Sequence, residues 1–165
     1  MQAGSTRAIA TVGVYEADLE HFLAALRTHG ATEVIDVRQR RGVRGREYAW
    51  ANAKRLEAAL TEAGIGYRHR PELAPTTELR HVQYAEDERR GVGKRNRSRL
   101  APAYAERYTS EILDRADLDA VVADLPREGI AALLCVERDP EACHRSLVAA
   151  RLARDYGFRV VDIRP

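Results

Sequence analysis

The segment C-V-E-R-D-P-E-A-C-H-R-S at residues 135–146 gathers two thiols, a histidine, three carboxylates and two arginines after an apolar run. A thiol at the start of a helix meets unpaired N–H groups and the positive end of the helix dipole, which favour anions and lower its pKa. Cys143 is therefore the candidate thiolate. Cys135 approaches it if the intervening loop folds back, and His144 is the candidate base. Cys135 also fits a plainer reading as a small buried hydrophobe within its strand.

Further candidates come from aligning the strands at their C-terminal ends, the edge where open parallel sheets bind ligands. Asp36, Arg38, His69, Glu137 and Arg145 fall there as substrate-binding candidates. Arginine suits the role because its planar fork takes carboxylate or phosphate in bidentate fashion. The plainer alternatives are an ordinary Asp36–Arg38 ion pair and a hydrogen-bonded structural His69.

Arginine is also concentrated in two stretches: Arg38, Arg40, Arg41, Arg44 and Arg46, then Arg89, Arg90, Lys94, Arg95, Arg97 and Arg99. A second function class follows, a nucleic-acid-binding or nucleic-acid-processing protein. It would track phosphates with Arg40, Arg41, Arg44, Arg46, Lys94 and Arg95, and stack bases on Tyr48, Trp50 and Tyr84. A third class is a haem or metal protein using Cys135, Cys143, His144 or His69. The cysteine spacing matches no paired C-x-x-C zinc pattern, so no structural zinc is expected; a haem needs one axial ligand and stays open, and the cofactor is left unknown. No G-x-G-x-x-G or Walker loop is present, so nicotinamide and ATP dependence are not indicated.

These residues need a scaffold, and the hydrophobic pattern supplies one. A β-branched run at 9–15, a helical period at 18–29 ended by Gly30, and an apolar run at 34–37 make a βαβ unit with a right-handed crossover. A helix at 51–63 ended by Gly64 and a short strand at 66–69 extend it. About 74–99 reads as a long polar loop, followed by helical pieces at 104–113 and 118–125. The charge-free run at 130–136 is the expected central strand, buried on both faces. Asp139 and Pro140 then signal a helix start, with the helix at 141–156 and a fifth strand at 160–163. The expectation is one α/β domain over 1–165, a Rossmann-like open, mostly parallel five-stranded sheet with helices on both faces.

Composition narrows the classes. A chain of 165 residues with 45% hydrophobic and 32% charged residues has the size and balance of one soluble globular domain without disulfide staples. No apolar run approaches a membrane span, and residues 1–8 lack the apolar core of a secretory signal. With two cysteines and no disulfide framework, a cytoplasmic protein with reduced thiols is expected. The partners expected are a small anionic substrate or nucleotide, with nucleic acid as the alternative and no membrane.

Three segments, V-I-D-V-R at 34–38, G-I-G-Y-R-H at 64–69 with P-E-L following, and L-C-V-E-R-D-P-E-A-C-H-R-S-L at 134–147, resemble the family catalogued as domain of unknown function number 488. The resemblance spans nearly the whole chain. It implies a Rossmann-like α/β fold with a site built from the cysteine motif and the D-V-R segment, and it implies no particular reaction. Many members carry G-H-S after the first strand where this chain reads Gly13-Val14-Tyr15, and the loop at 38–46 is more basic than is usual in the family.

Overall fold

The computed structural model describes residues 7–165. Residues 1–6, on which most of the reading of the N-terminus rests, lie outside the described residues, as does the side chain of Lys94. Strands β1 (Ala8–Val12), β2 (Ala31–Asp36), β3 (Gly66–His69), β4 (Ile130–Leu134) and β5 (Arg159–Ile163) form one sheet in the order β3-β2-β4-β1-β5. Every pairing is parallel, which completes the mostly parallel sheet expected.

The charge-free sequence of β4 follows from its central place, since both of its faces are covered. Ala131, Leu133 and Cys135 pack on one side with Tyr108, Val148 and Leu152. Ala132 and Leu134 pack on the other with Phe22, Leu26, Leu56 and Leu60. Helices α1 (Leu19–Thr28) and α2 (Ala53–Glu62) cover the second side. Helices α3 (Thr77–Arg89), α4 (Pro102–Tyr108), α5 (Leu118–Ala123) and α6 (Arg145–Tyr156) cover the first.

Right-handed crossovers impose this division, because the chain steps from β1 through β2 to β3 and then reverses through β4 to β5. Neighbouring strands β2 and β4 therefore send their connections to opposite faces. A crevice opens between their C-terminal ends, the usual ligand position in such sheets. Local signals agree with these boundaries. The Asp18 carboxylate caps α1 by accepting from the His21 amide at 2.8 Å, and Gly30 and Gly64 end α1 and α2 at φ of 74° and 76°.

Two expectations need correction. The stretch at 74–99 is not a loop: its first half is α3, capped by Thr76 Oγ1, which accepts from the Leu79 amide at 3.1 Å. The buried face of α3 runs Leu79, Gln83, Asp87, so polar side chains occupy positions where hydrophobic periodicity seeks apolar ones. The helix placed at 141–156 is also broken. Pro140–Ala142 forms a single 3₁₀ turn, Cys143 is extended at φ −139° and ψ 146°, and α6 begins at Arg145. Asp139, read as a cap, makes no capping bond and pairs instead with Arg164 at 2.6 Å. Beyond α4 the chain widens into a π turn, Thr109–Leu113. Among the described residues no helix is long and apolar enough to cross a membrane.

Candidate functional site

Cys135 lies one residue beyond β4, and Cys143 stands in the extended link before α6. The turn between them folds back, so that both free thiols are buried beside His144. His144 Nδ1 is 3.7 Å from Cys143 Sγ and 3.8 Å from Cys135 Sγ. Its other nitrogen, Nε2, is 2.8 Å from the Val37 carbonyl. A carbonyl only accepts, so Nε2 carries a proton and donates it. Nδ1 is thereby turned to the sulfurs. The Tyr108 ring, 5.4 Å from the imidazole, backs it from α4, and the Tyr108 hydroxyl donates to the Leu73 carbonyl at 2.7 Å.

Arg145 is 1% exposed, and its guanidinium donates to the carbonyls of Glu137 at 2.6 Å and Arg138 at 3.1 Å. It pins the loop after β4 and leaves a buried positive charge close to the thiols. Burial disfavours a Cys143 thiolate, but the Cys135 hydrogen bond, the His144 ring and the Arg145 charge outweigh burial and hold Cys143 well below the ordinary thiol range. Cys135 is pushed up by its bond to the Cys143 sulfur and by burial. Burial works against a charged His144; the Cys143 sulfur and the Val37 carbonyl outweigh it and raise the imidazole pKa. The three shifts agree in sense, favouring a charged sulfur at Cys143, a protonated one at Cys135 and a protonated imidazole between them.

Two buried ionic clusters brace this centre. Arg97 donates to Asp87 through Nε and Nη2, with contacts as short as 2.7 Å, and through Nη1 to Glu137 at 3.2 Å and the Ala142 carbonyl at 3.1 Å. Gln83 joins through Asp87 at 2.9 Å and accepts from the Ala101 amide at 2.8 Å. This cluster ties the second arginine stretch to the cysteine loop. In the other, Arg38 grips Asp36 through Nε and Nη2 at 2.9 and 2.8 Å, and Tyr67 donates to Asp36 at 2.6 Å. Across the crevice Gly13 lets β1 and the cysteine loop touch: a Cβ there would sit 2.0 Å from the Glu137 carbonyl oxygen.

Above the sulfurs lies a cavity of about 710 Å³. Cys135, Cys143 and His144 line it together with Arg38, Arg40, Arg44, Arg80, Arg95 and Arg97, against the single lining carboxylate of Glu137 among the described residues. The two arginine stretches, separate in sequence, are walls of one chamber, joined where Arg95 Nη2 donates to the Arg44 carbonyl at 3.0 Å. Arg95 also lies over the rings of Tyr15 and Tyr48 at 5.1 and 5.2 Å. Arg40, Arg44 and Arg80 belong to none of the ion pairs found among the described residues; Arg80 instead donates to Gln39 and Tyr84.

The chain matches the family described as domain of unknown function DUF488 over residues 18–152. It belongs to the DUF488 family. No curated protein and no solved structure matches it. Of the three segments, Arg38 of the first and the cysteines and His144 of the third line the cavity, and the second supplies none of its lining residues. At the G-H-S position, this DUF488 chain keeps the glycine that allows the close approach to Glu137, buries Val14 and turns Tyr15 to the cavity.

Not every candidate reaches the chamber. His69 stands beside it, its Nε2 3.1 Å from the Arg38 carbonyl, and Arg145 lies beneath the loop. Asp36 is covered by Arg38 and Tyr67. Arg41 donates to Tyr67 at 3.2 Å, and Arg46 is exposed on the 3₁₀ turn Arg46–Ala51. Of the aromatic residues read as base-stacking, Tyr48 is buried, with its hydroxyl accepting from the Glu16 amide, and Trp50 packs on Phe22 at 5.0 Å. Tyr84 lines the cavity.

Sequence reasoning missed Asp87, Gln83, Arg80 and Tyr108, and with them Tyr104, which lines the cavity. The spacing Leu79-x₃-Gln83-x₃-Asp87 behind a Pro75-Thr76 start was the available signal. Cys135, Cys143 and His144 also offer three donors within 4.8 Å of one another, close enough to hold a metal ion.

Proposed function

We propose that this chain is an enzyme in which the Cys143 sulfur attacks a small substrate bearing phosphate or carboxylate groups. The observation that carries the reading is the convergence of six arginines and the Cys135–Cys143–His144 centre on one cavity. Arg40, Arg44 and Arg80 meet the anionic groups, because they are not already neutralised by carboxylates and a concave, partly desolvated wall strengthens their attraction. Arg38, Arg97 and Arg145 are spent on internal partners and hold the frame. Cys143 supplies the bond-forming electron pair. His144 Nδ1 is placed to return a proton to the departing group.

A chamber of this size accommodates a ligand of nucleotide dimensions rather than the track of a polymer. The burial of Tyr48 and the packing of Trp50 argue the same way, since a stacking platform needs open ring faces. The test is site-resolved labelling by iodoacetamide at neutral pH, with and without millimolar inorganic phosphate. The expected result is fast modification of Cys143, slowed by phosphate and abolished in Cys143→Ser. Labelling that is slow, or indifferent to that substitution, overturns the reading.

A further inference from the structure

Cys135 need not react in a mechanism with a single nucleophile, yet its sulfur lies within 4.8 Å of the Cys143 sulfur and beside the same imidazole nitrogen. Both thiols line the cavity and are otherwise buried, 6% and 2% exposed, so a reagent reaches them through the arginine-walled chamber. Neither is locked in a regular element. Cys135 follows the last residue of β4, and Cys143 is the extended link between a 3₁₀ turn and α6. These are positions where a small backbone shift closes the remaining gap to the disulfide length of about 2.05 Å.

We propose that Cys143 and Cys135 are the attacking and resolving thiols of a dithiol–disulfide couple, whose oxidant is a low-molecular-weight disulfide carrying carboxylates. The proposal rests on the thiolate reading above and names its substrate class. In the first step Cys143 S⁻ forms a bond to one sulfur of the substrate disulfide, the substrate S–S bond breaks, and the departing substrate sulfur leaves as a thiol with the Nδ1 proton of the His144 imidazolium, which becomes a neutral imidazole. In the second, the Cys135 thiol loses its proton to the imidazole and attacks Cys143 Sγ in the mixed disulfide. The second substrate thiolate departs, and the Cys135–Cys143 bond is formed. The two electrons gained by the substrate are those the two cysteines lose.

The neighbouring groups fit these roles. His144 faces both sulfurs through Nδ1. The Cys135 thiol also faces Glu137 Oε2 at 3.6 Å, which keeps its proton in place until the mixed disulfide exists. The arginine wall selects the anionic reagent. A cationic disulfide of similar size meets repulsion from Arg40, Arg44, Arg80 and Arg95.

The experiment treats chelator-washed full-length protein with oxidised glutathione and, separately, with cystamine, followed by intact-mass and peptide analysis. Wild type is expected to lose two hydrogens and carry a Cys135–Cys143 crosslink, at least tenfold faster with oxidised glutathione than with cystamine. Cys135→Ser is expected to stop at a stable Cys143–glutathione adduct, and Cys143→Ser to remain unmodified. Circular dichroism confirms that both variants are folded; Cys135→Ala and Cys143→Ala replace any that is not. A wild-type protein that ends as a lasting glutathione adduct with no crosslink overturns the resolving role. Equal rates with the two reagents overturn the substrate class. If Cys143 is alkylated rapidly and yet no crosslink forms, this proposal fails while the thiolate reading stands. Slow alkylation takes down both.

Discussion

His144 donates its Nε2 proton to the Val37 carbonyl across 2.8 Å, and this bond decides what the other side of the ring can do. With Nε2 committed to the loop after β2, Nδ1 is held toward Cys143 and Cys135 at the end of β4. One side chain thus spans the crevice between two neighbouring strands and joins the loops beyond them.

Removing the imidazole tests that relation. His144→Gln deletes a positive group that lowers the Cys143 pKa, so the midpoint of alkylation rate against pH is expected to rise by about one unit or more, roughly tenfold slower at neutral pH. The linkage signs are opposed. Cys143, depressed on folding, contributes stability that is complete above the ordinary thiol range and is lost as pH falls through its depressed pKa. His144, raised on folding, contributes stability that is complete below the ordinary imidazole value and is lost as pH rises through its raised pKa. An unmoved midpoint in His144→Gln would show that the imidazole does not govern the thiol.

Arg97 and Arg99 lie two residues apart in the same basic stretch and are expected to differ widely. Arg97→Leu leaves Asp87 and Glu137 buried without their shared cation, a loss of about 3–5 kcal/mol by analogy with broken buried pairs. Arg99 is exposed, and Arg99→Ala is expected within about 0.5 kcal/mol of wild type. Urea unfolding of the two variants makes the comparison, and equal midpoints would contradict the bracing role of Arg97.

Gly13→Ala places a methyl group inside the contact distance of the Glu137 carbonyl, which is backbone and cannot rotate away. The loop must shift, at a cost of about 1–3 kcal/mol or more. Because Arg145 holds the same carbonyl, Cys143 labelling is expected to slow along with the stability loss. Wild-type stability and labelling in this variant would contradict the close approach.

Arg40 and Arg44 are exposed on the cavity wall and hold no carboxylate, so Arg40→Ala/Arg44→Ala is expected to leave the unfolding midpoint unchanged within about 0.5 kcal/mol. It is also expected to weaken phosphate protection of Cys143 and to flatten its dependence on salt. Undiminished protection would place the anion contact elsewhere in the cavity.

Much of the framework was legible because burial writes itself into sequence. The run at 130–136 lost its charges to a two-sided core, and G-Y-R-H at 66–69 coincides with β3. The cysteine segment stood out by its residue types, but its geometry was hidden. An Asp-Pro start predicts a helix, and only the extended backbone of Cys143 explains why the helix waits until Arg145 and why the thiols meet. Helix α3 was illegible for a related reason: Gln83 and Asp87 are buried by hydrogen bonding to Arg97 and Ala101, partners that lie after the helix. Hydrophobic periodicity does not register a polar interior. Nor does local reading reveal that stretches around 40 and 95 face one another.

The most direct measurement compares iodoacetate with iodoacetamide on Cys143 of chelator-washed protein, since the two reagents share chemistry and differ in charge. The rate ratio of anionic to neutral reagent is referenced to that of free cysteine, at neutral pH and low salt. A thiolate beneath an arginine-walled cavity predicts fast modification by both and a ratio at least tenfold above the reference, falling as salt is raised. Slow modification, or a ratio equal to that of free cysteine at every salt concentration, would contradict it.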